Sequence, residues 1–276
     1  MLSAITISLV PEARGGPFVF WDNLVDGCDK ALELGFDAVE IFPRSPEEFD
    51  IRLLQYILED RPLKVAAVGT GAGWVVRKLR LTDPNPDIRR QAREFIAEII
   101  YKAGSFRAPA IIGSMQGRWD ADTGREQALE WLREALAELA PMAAKQELPL
   151  LLEPLNRYET NMLNRVGESL EFLGSVGSDN VKLLCDLFHM NIEEANPAEA
   201  LRLAGPKVGH VHFADSNRQA IGSGHTEMAP IVAALRDIGY DGYISGEILP
   251  LPDSESAARR TIESFRKWFP APAPIC

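Results

Sequence analysis

The feature that most constrains this chain is an alternation. Eight short runs rich in Val, Ile and Leu occur at Ser3–Leu9, Ala38–Phe42, Lys64–Val68, Ala110–Gly113, Leu150–Glu153, Lys182–Asp186, Val208–Phe213 and Tyr243–Glu247. Stretches with helical spacing follow them, at Phe18–Leu34, Pro46–Glu59, Pro84–Ala103, Arg125–Gln146, Val166–Val176, Pro197–Leu203, Met228–Asp237 and Asp253–Trp268. Parallel strands need such crossovers, because each helix carries the chain back to the starting end of the sheet. Repeated βα units in 276 residues predict a (β/α)8 TIM barrel, with a doubly wound open sheet as the lesser alternative. Several helices carry boundary signals, such as Pro84 and Pro86 at the start of the third and Gly35 or Gly104 beyond a periodic run. Phe95, Ile96, Ile99 and Ile100, and likewise Leu129, Leu132, Leu136 and Leu139, give their helices one stripe to bury.

No Pro/Gly/Ser-rich linker interrupts the pattern, so 1–276 is expected to be a single barrel domain. Its Pro/Ala-rich end, 269–276, is expected to be a disordered tail rather than a strap on a neighbouring subunit. The net charge of −11 disfavours nucleic acid and other polyanions, which need a basic stripe that the scattered arginines do not provide. Cys28, Cys185 and Cys276 are odd in number and lack motif spacing, which fits a reducing cytoplasm and excludes a Cys-type zinc site. The apolar start Met1–Val10 lacks a basic region and a small-residue cleavage site, and no apolar run approaches a membrane span, so neither leader nor membrane segment is expected.

Chemistry concentrates at the carboxyl ends of the last four strands, where barrels of this kind carry their reactive groups. The fifth run ends in Glu153 and the sixth in Asp186, the seventh carries His212, and the eighth ends in Glu247. Three carboxylates in one mouth repel, each pair costing on the order of 4 kcal/mol at about 4 Å and an effective dielectric near 20. A divalent cation removes that conflict. Oxygen-rich ligation with one imidazole favours Mn²⁺ or Mg²⁺, with Co²⁺ and Zn²⁺ as further options. Taken singly, any of these acids reads as a helix cap or an ion-pair partner; four together read as a metal site. In the loops beyond lie Glu159, His189 and Arg218, which overlook the mouth. His210, one layer deeper than His212, and His225 are expected to be structural or to support the ligands.

These residues carry a resemblance. The stretches Glu153-x-x-Asn156-Arg157-x-Glu159-Thr160-Asn161, Asp186-x-x-His189-Met190-Asn191, His210-Val211-His212-x-x-Asp215-Ser216-Asn217-Arg218 and Gly246-Glu247 resemble the xylose-isomerase-like TIM-barrel superfamily, and within it the branch of D-tagatose and D-psicose 3-epimerases. The resemblance implies that Glu153, Asp186, His212 and Glu247 hold one divalent metal, usually Mn²⁺. It implies that Glu153 and Glu247 are also the acid–base pair, and that Glu159, His189 and Arg218 bind a sugar substrate. The implied reaction moves the proton at the carbon beside a ketose carbonyl through an enediolate, favouring C3 epimerisation. Homo-oligomerisation is left open.

Rival readings on the same scaffold are weaker. A DNA-repair endonuclease needs a multi-zinc cluster with histidines from early strands, and this chain has none before His189. Hydroxypyruvate isomerase usually has Gln in place of His212, inosose dehydratase shares the scaffold and metal, and aldose–ketose isomerisation uses the same enediolate. A non-enzymatic sugar- or metal-binding barrel would lack one of the two acid–base carboxylates. The first half departs from the epimerase pattern at Gly69–Trp74 and Ile111–Trp119, so the sugar's identity is not read. Gly69-Thr70-Gly71-Ala72-Gly73 is expected to be a flexible active-site loop rather than a phosphate cradle, and Arg77, Lys78 and Arg118 surface charges.

Overall fold

The computed structural model describes residues 1–270. Its strands are β1 (Leu2–Ser8), β2 (Phe20–Trp21), β3 (Ala38–Phe42), β4 (Lys64–Gly69), β5 (Ala110–Ile112), β6 (Leu150–Leu152), β7 (Val181–Asp186), β8 (Val208–His212) and β9 (Tyr243–Gly246). They lie in the order β2-β1-β3-β4-β5-β6-β7-β8-β9, and β1 also pairs with β9. That last pairing closes eight parallel strands into a (β/α)8 barrel. On one edge of β1, Leu2–Ile5 pair with β9 and then Ile7 and Ser8 with β2, so β2 continues the edge that β9 leaves at the carboxyl end.

The helices are α1 (Leu24–Leu34), α2 (Ile51–Glu59), α3 (Ala72–Arg77), α4 (Pro86–Gly104), α5 (Arg125–Ala144), α6 (Val166–Gly174), α7 (Leu187–Glu193), α8 (Pro197–Ala204), α9 (Met228–Asp237) and α10 (Ser254–Trp268). Two begin later than their periodicity predicts, for local reasons. Asn23 accepts hydrogen bonds from the Val25 and Asp26 amides and so starts α1, while Phe20–Trp21 are drawn into the sheet. Asp50 does the same for Arg52 and Leu53, starting α2. The short α3 and α7 fall in segments expected to be loops. Phe269, expected in the tail, packs instead on Phe265 and Phe213, with ring centroids 5.3 and 5.9 Å away. Residues 271–276 of the expected tail, Cys276 included, lie outside the described residues. Among the described residues, no helix is long and apolar enough to cross a membrane.

Strand parity sorts the core into two spaces. Val39, Ile41, Ile112, Leu150, Leu152, Leu183, Val211 and Ile244 face the helices in the main apolar cluster. The intervening residues form smaller clusters, Ala67 with Ile111, Leu151 and Leu184, and Ala4 with Ala38 and Ala66, which fill the barrel interior. Two residues beyond Ala38, Leu151 and Leu184 on the same faces come Glu40, Glu153 and Asp186. The same alternation around outward Val211 and Ile244 turns His210, His212, Ser245 and Glu247 inward.

Candidate active site

Parity and register therefore bring Glu153, Asp186, His212 and Glu247 to one place. Asp186 pairs in register with His212, and His212 with Ser245. Each of the four offers one ligand atom, and these atoms all lie within 4.8 Å of one another. His212 Nδ1 sits 3.5 Å from Glu153 Oε1, from Asp186 Oδ2 and from Glu247 Oε2. All four residues are buried, and Glu153 Oε1, Asp186 Oδ2 and His212 Nδ1 have no hydrogen-bond partner. A buried polar atom left unpaired costs about 1–3 kcal/mol, so three converging ones mark a cradle for a ligand that satisfies them together. Three carboxylate oxygens and one imidazole nitrogen fit a divalent cation. Asp186 resolves the choice between cap and ligand by dividing its oxygens: Oδ1 accepts from the Phe188 amide at 2.7 Å and starts α7, leaving Oδ2 free.

The electrostatics of these residues agree with this fit. Burial, with the charges of Glu153 and Asp186, pushes the Glu247 carboxyl up to about 8 against the pull of His212 and Arg218. Burial would also raise Asp186, but His189, His212 and Arg218 hold it well below the usual carboxylate range. Burial disfavours a charged His212, yet Glu40 and Glu247 outweigh it and hold the imidazole well above its ordinary value.

Glu40, on β3, was not anticipated from sequence. It is fully buried, and its two oxygens sit 2.9 Å from His212 Nε2 and 2.7 Å from His210 Nε2. Burial opposes its ionisation, but the two imidazoles hold it well below the ordinary range. The signal available was a lone acid inside the apolar run Val39-Glu40-Ile41.

Glu159, His189 and Arg218 gather above this cluster. The Asn156 backbone amide and side-chain amide both donate to His189 Nδ1, at 3.3 and 2.7 Å. The His189 proton consequently sits on Nε2, which is buried, unpartnered and 3.6–3.7 Å from Asp186 and Glu153. Arg218 donates to Glu247 at 2.9 Å and to Glu159 at 3.0 Å, and its guanidinium lies 4.7 Å from the Phe188 ring centroid. Arg218 adopts φ +58°, and its carbonyl accepts from the Leu249 amide at 2.7 Å. A cavity of about 520 Å³ opens onto Glu153, Glu159, His189, Arg218 and Glu247, a volume suited to a small molecule. The first half supplies its opposite wall, chiefly Phe18, Phe42, Trp74 and Val75.

The xylose isomerase-like TIM barrel family matches residues 28–268. The chain belongs to that family. D-psicose 3-epimerase of Ruminiclostridium cellulolyticum is 34% identical over 227 residues, covering 78% of this chain and 75% of that protein. L-ribulose 3-epimerase of a Methylomonas species is 32% identical over 243 residues, covering 84% and 83%. A crystal structure of D-psicose 3-epimerase with D-tagatose from Clostridium cellulolyticum is similar with a TM-score of 0.79 at 26% identity, over 97% of this chain and 99% of that one. These relatives are ketose 3-epimerases, and so isomerases.

Other residues within this family member take supporting places. Asn161 accepts from the Trp119 amide and donates to its carbonyl, Asn164 donates to Leu155 and Thr160 carbonyls, and Arg157 pairs with Glu193. His225 is exposed and meets Ser216. The Gly-rich stretch is the end of β4 and the start of α3 rather than a free loop. A Cβ at Gly69 would lie 2.2 Å from Phe42, and one at Gly73 2.5 Å from the Met115 sulfur, so both glycines serve close packing. Arg77 pairs with Glu47, Lys78 reaches the Val75 carbonyl, Arg118 is exposed, and none of the three lines the cavity.

Proposed function

We propose that this chain is a divalent-metal-dependent ketose 3-epimerase with one barrel domain as its active unit. The observation that carries the reading is the convergence of two buried carboxylates that line the cavity, Glu153 and Glu247, with Asp186 and an unpartnered His212 nitrogen beside them. A divalent cation held by these four, Mn²⁺ in the first instance, would polarise the ketose carbonyl and the neighbouring hydroxyl and so acidify the C–H between them. One of Glu153 and Glu247 removes the C3 proton from one face, and the other delivers its own proton to the opposite face, inverting the carbon. His189 donates its Nε2 proton to a substrate oxygen, and Glu159 accepts from a sugar hydroxyl. Arg218 holds Glu159 and Glu247 apart from each other while it faces the substrate oxygens. The cavity walls exclude bulk water around the developing enediolate.

The proposal includes a cytoplasmic location, as buried free thiols at Cys28 and Cys185 allow. The test is proton exchange. The protein is incubated with Mn²⁺ in D₂O with a panel of ketoses and ketose phosphates, and deuterium is located by NMR. Label at C3 that disappears with EDTA is expected. Label confined to C1 or C2 would make the enzyme an aldose–ketose isomerase, and exchange that survives EDTA would remove the metal from the reading.

A further inference from the structure

The barrel interior holds a polar array that the proposed reaction does not use. Glu40 on β3 reaches across the barrel to His210 and His212 on β8, and all three are buried to 1% exposure or less. We propose that Glu40 is the positioning residue of the metal centre: clamped by His210, it fixes His212 with its proton on Nε2, so that the Nδ1 lone pair faces Glu153, Asp186 and Glu247. The inference rests on the reading of that cluster as a divalent-cation site.

The argument is one of donors and acceptors. An ionised carboxylate only accepts, and each Glu40 oxygen has one ring nitrogen at hydrogen-bond distance, Oε1 with His212 Nε2 at 2.9 Å and Oε2 with His210 Nε2 at 2.7 Å. Both Nε2 atoms are therefore donors. As a cation ligand the imidazole must be neutral and has one N–H, so with Nε2 donating to Glu40 its Nδ1 is bare, and that is the atom without a hydrogen-bond partner 3.5 Å from each of three carboxylate oxygens. The other tautomer would aim an N–H at the cation and a lone pair at Glu40, and so fail at both ends of the ring. His210 completes the device. Its bond to Oε2 keeps the carboxylate from rotating away, and its ring packs edge-on against His212 with centroids 5.5 Å apart. With no solvent at this depth, water cannot replace either partner. Glu40, His210 and His212 also lie close enough to ligate an ion themselves, but the facing atoms are already matched as donor and acceptor, so the array is a brace rather than a second centre.

Two measurements test this, neither of them activity. The isosteric Glu40→Gln variant is titrated with Mn²⁺ by calorimetry and compared with the wild type. Its Kd is expected to rise about 10–100-fold, while the EDTA-treated proteins melt within a few degrees of each other. In the Mg²⁺-loaded wild type labelled with ¹⁵N-histidine, the His212 proton is expected on Nε2, protected from exchange, and this protection is expected to be lost in Glu40→Gln. Wild-type affinity in the variant overturns the inference, as does a proton on His212 Nδ1. If Glu40→Gln fails to fold, the wild-type spectrum alone decides by the same criterion. A wild type that binds no Mn²⁺ would instead overturn the metal reading itself, so the two failures are distinguishable.

Discussion

The two halves of the barrel mouth are made of different material. At the carboxyl ends of β6, β7, β8 and β9 stand Glu153, Asp186, His212 and Glu247, all aimed inward. The loops beyond β1, β3, β4 and β5 contribute mainly aromatic, aliphatic and glycine surface, with Phe18, Phe42, Trp74 and Val75 on the cavity wall. The halves also hold their loops differently. In the second half buried acids gather backbone amides: Asp215 accepts from the amides of Ser216, Gly222, Gly224 and Thr226 at 2.7–3.0 Å. In the first, exposed ion pairs do the holding: Arg44 to Glu12 across two loops and to Glu48 within its own, Arg77 of α3 to Glu47, and Arg14 to Asp22. On the proposed reading, the difference teaches that one half fixes the positions of reacting groups, which tolerate little displacement, while the other shapes a container.

The sharpest way to break this division is to remove one reacting carboxylate. Glu153→Gln and Glu247→Gln are each expected to fold and to lose about 10²–10⁴-fold in kcat toward the ketose that the wild type turns over, measured by polarimetry. Phe18→Ala on the opposite wall is expected to act mainly on KM. A Glu153→Gln enzyme that keeps its turnover would end the claim that chemistry resides in the second half.

Gly113 sharpens the comparison, because it is a first-half residue packed beside the second-half Glu153. A Cβ there would sit 2.6 Å from Glu153 Oε2, far inside contact distance. Gly113→Ala is expected to push the carboxylate aside and lower kcat by roughly 10²-fold, the scale of a 1 Å misplacement. Gly167→Ala, where the nearest atom is 3.6 Å from the new Cβ, is the control and is expected to leave turnover unchanged.

The same contrast explains what could be read from sequence. The four clustered residues were legible because each lies at or next to the end of an apolar run, and a polar residue at that point of a parallel strand has only the mouth to face. Glu40 was not, because it interrupts a strand instead of ending it, and its partners lie on β8, 170 and 172 positions away. Asn156 was visible only as one amide in a polar loop; its task depends on His189 arriving beside it. The helices α3 and α7 are too short for periodicity to register. Phe20–Trp21 carry apolar spacing that suits a helix, and only pairing with β1 makes them a strand. Endings and long periodic runs are local properties, whereas the brace, the cavity wall and the tautomers belong to the folded chain alone.

Asp215 tests how the second-half loop is held. Its Oδ2 accepts from the Gly222 and Gly224 amides, so Asp215→Asn sets an NH₂ group against two N–H donors. A loss of about 1–3 kcal/mol is expected in urea denaturation near neutral pH, the cost of unsatisfied buried donors. The pH dependence has a definite sign. Burial would raise the Asp215 carboxyl, but the Gly224, Thr226 and Ser216 hydrogen bonds lower it to about 2, below its ordinary value. The stabilisation is therefore complete above about pH 4 and is lost as pH falls toward the folded value. The gap between wild type and variant should be constant from neutral pH down to about pH 4 and narrow below it.

The smallest effect is expected in the first half, at Arg77. Its guanidinium pairs with Glu47 at 2.9 Å, but both side chains are well exposed, at 43% and 62%. Exposed pairs of this kind are worth about 0–1 kcal/mol and are screened by salt. Its other contact is the Phe95 ring, with the centroid 5.6 Å away. Arg77→Ala should therefore lower the urea midpoint only slightly and leave KM for a free ketose within about 2-fold, as befits a residue outside the cavity. A phosphorylated ketose makes the stronger test. If Arg77→Ala selectively weakened turnover of a ketose phosphate, the first half would be reading charge at the far end of the substrate, and its walls would no longer be a container only.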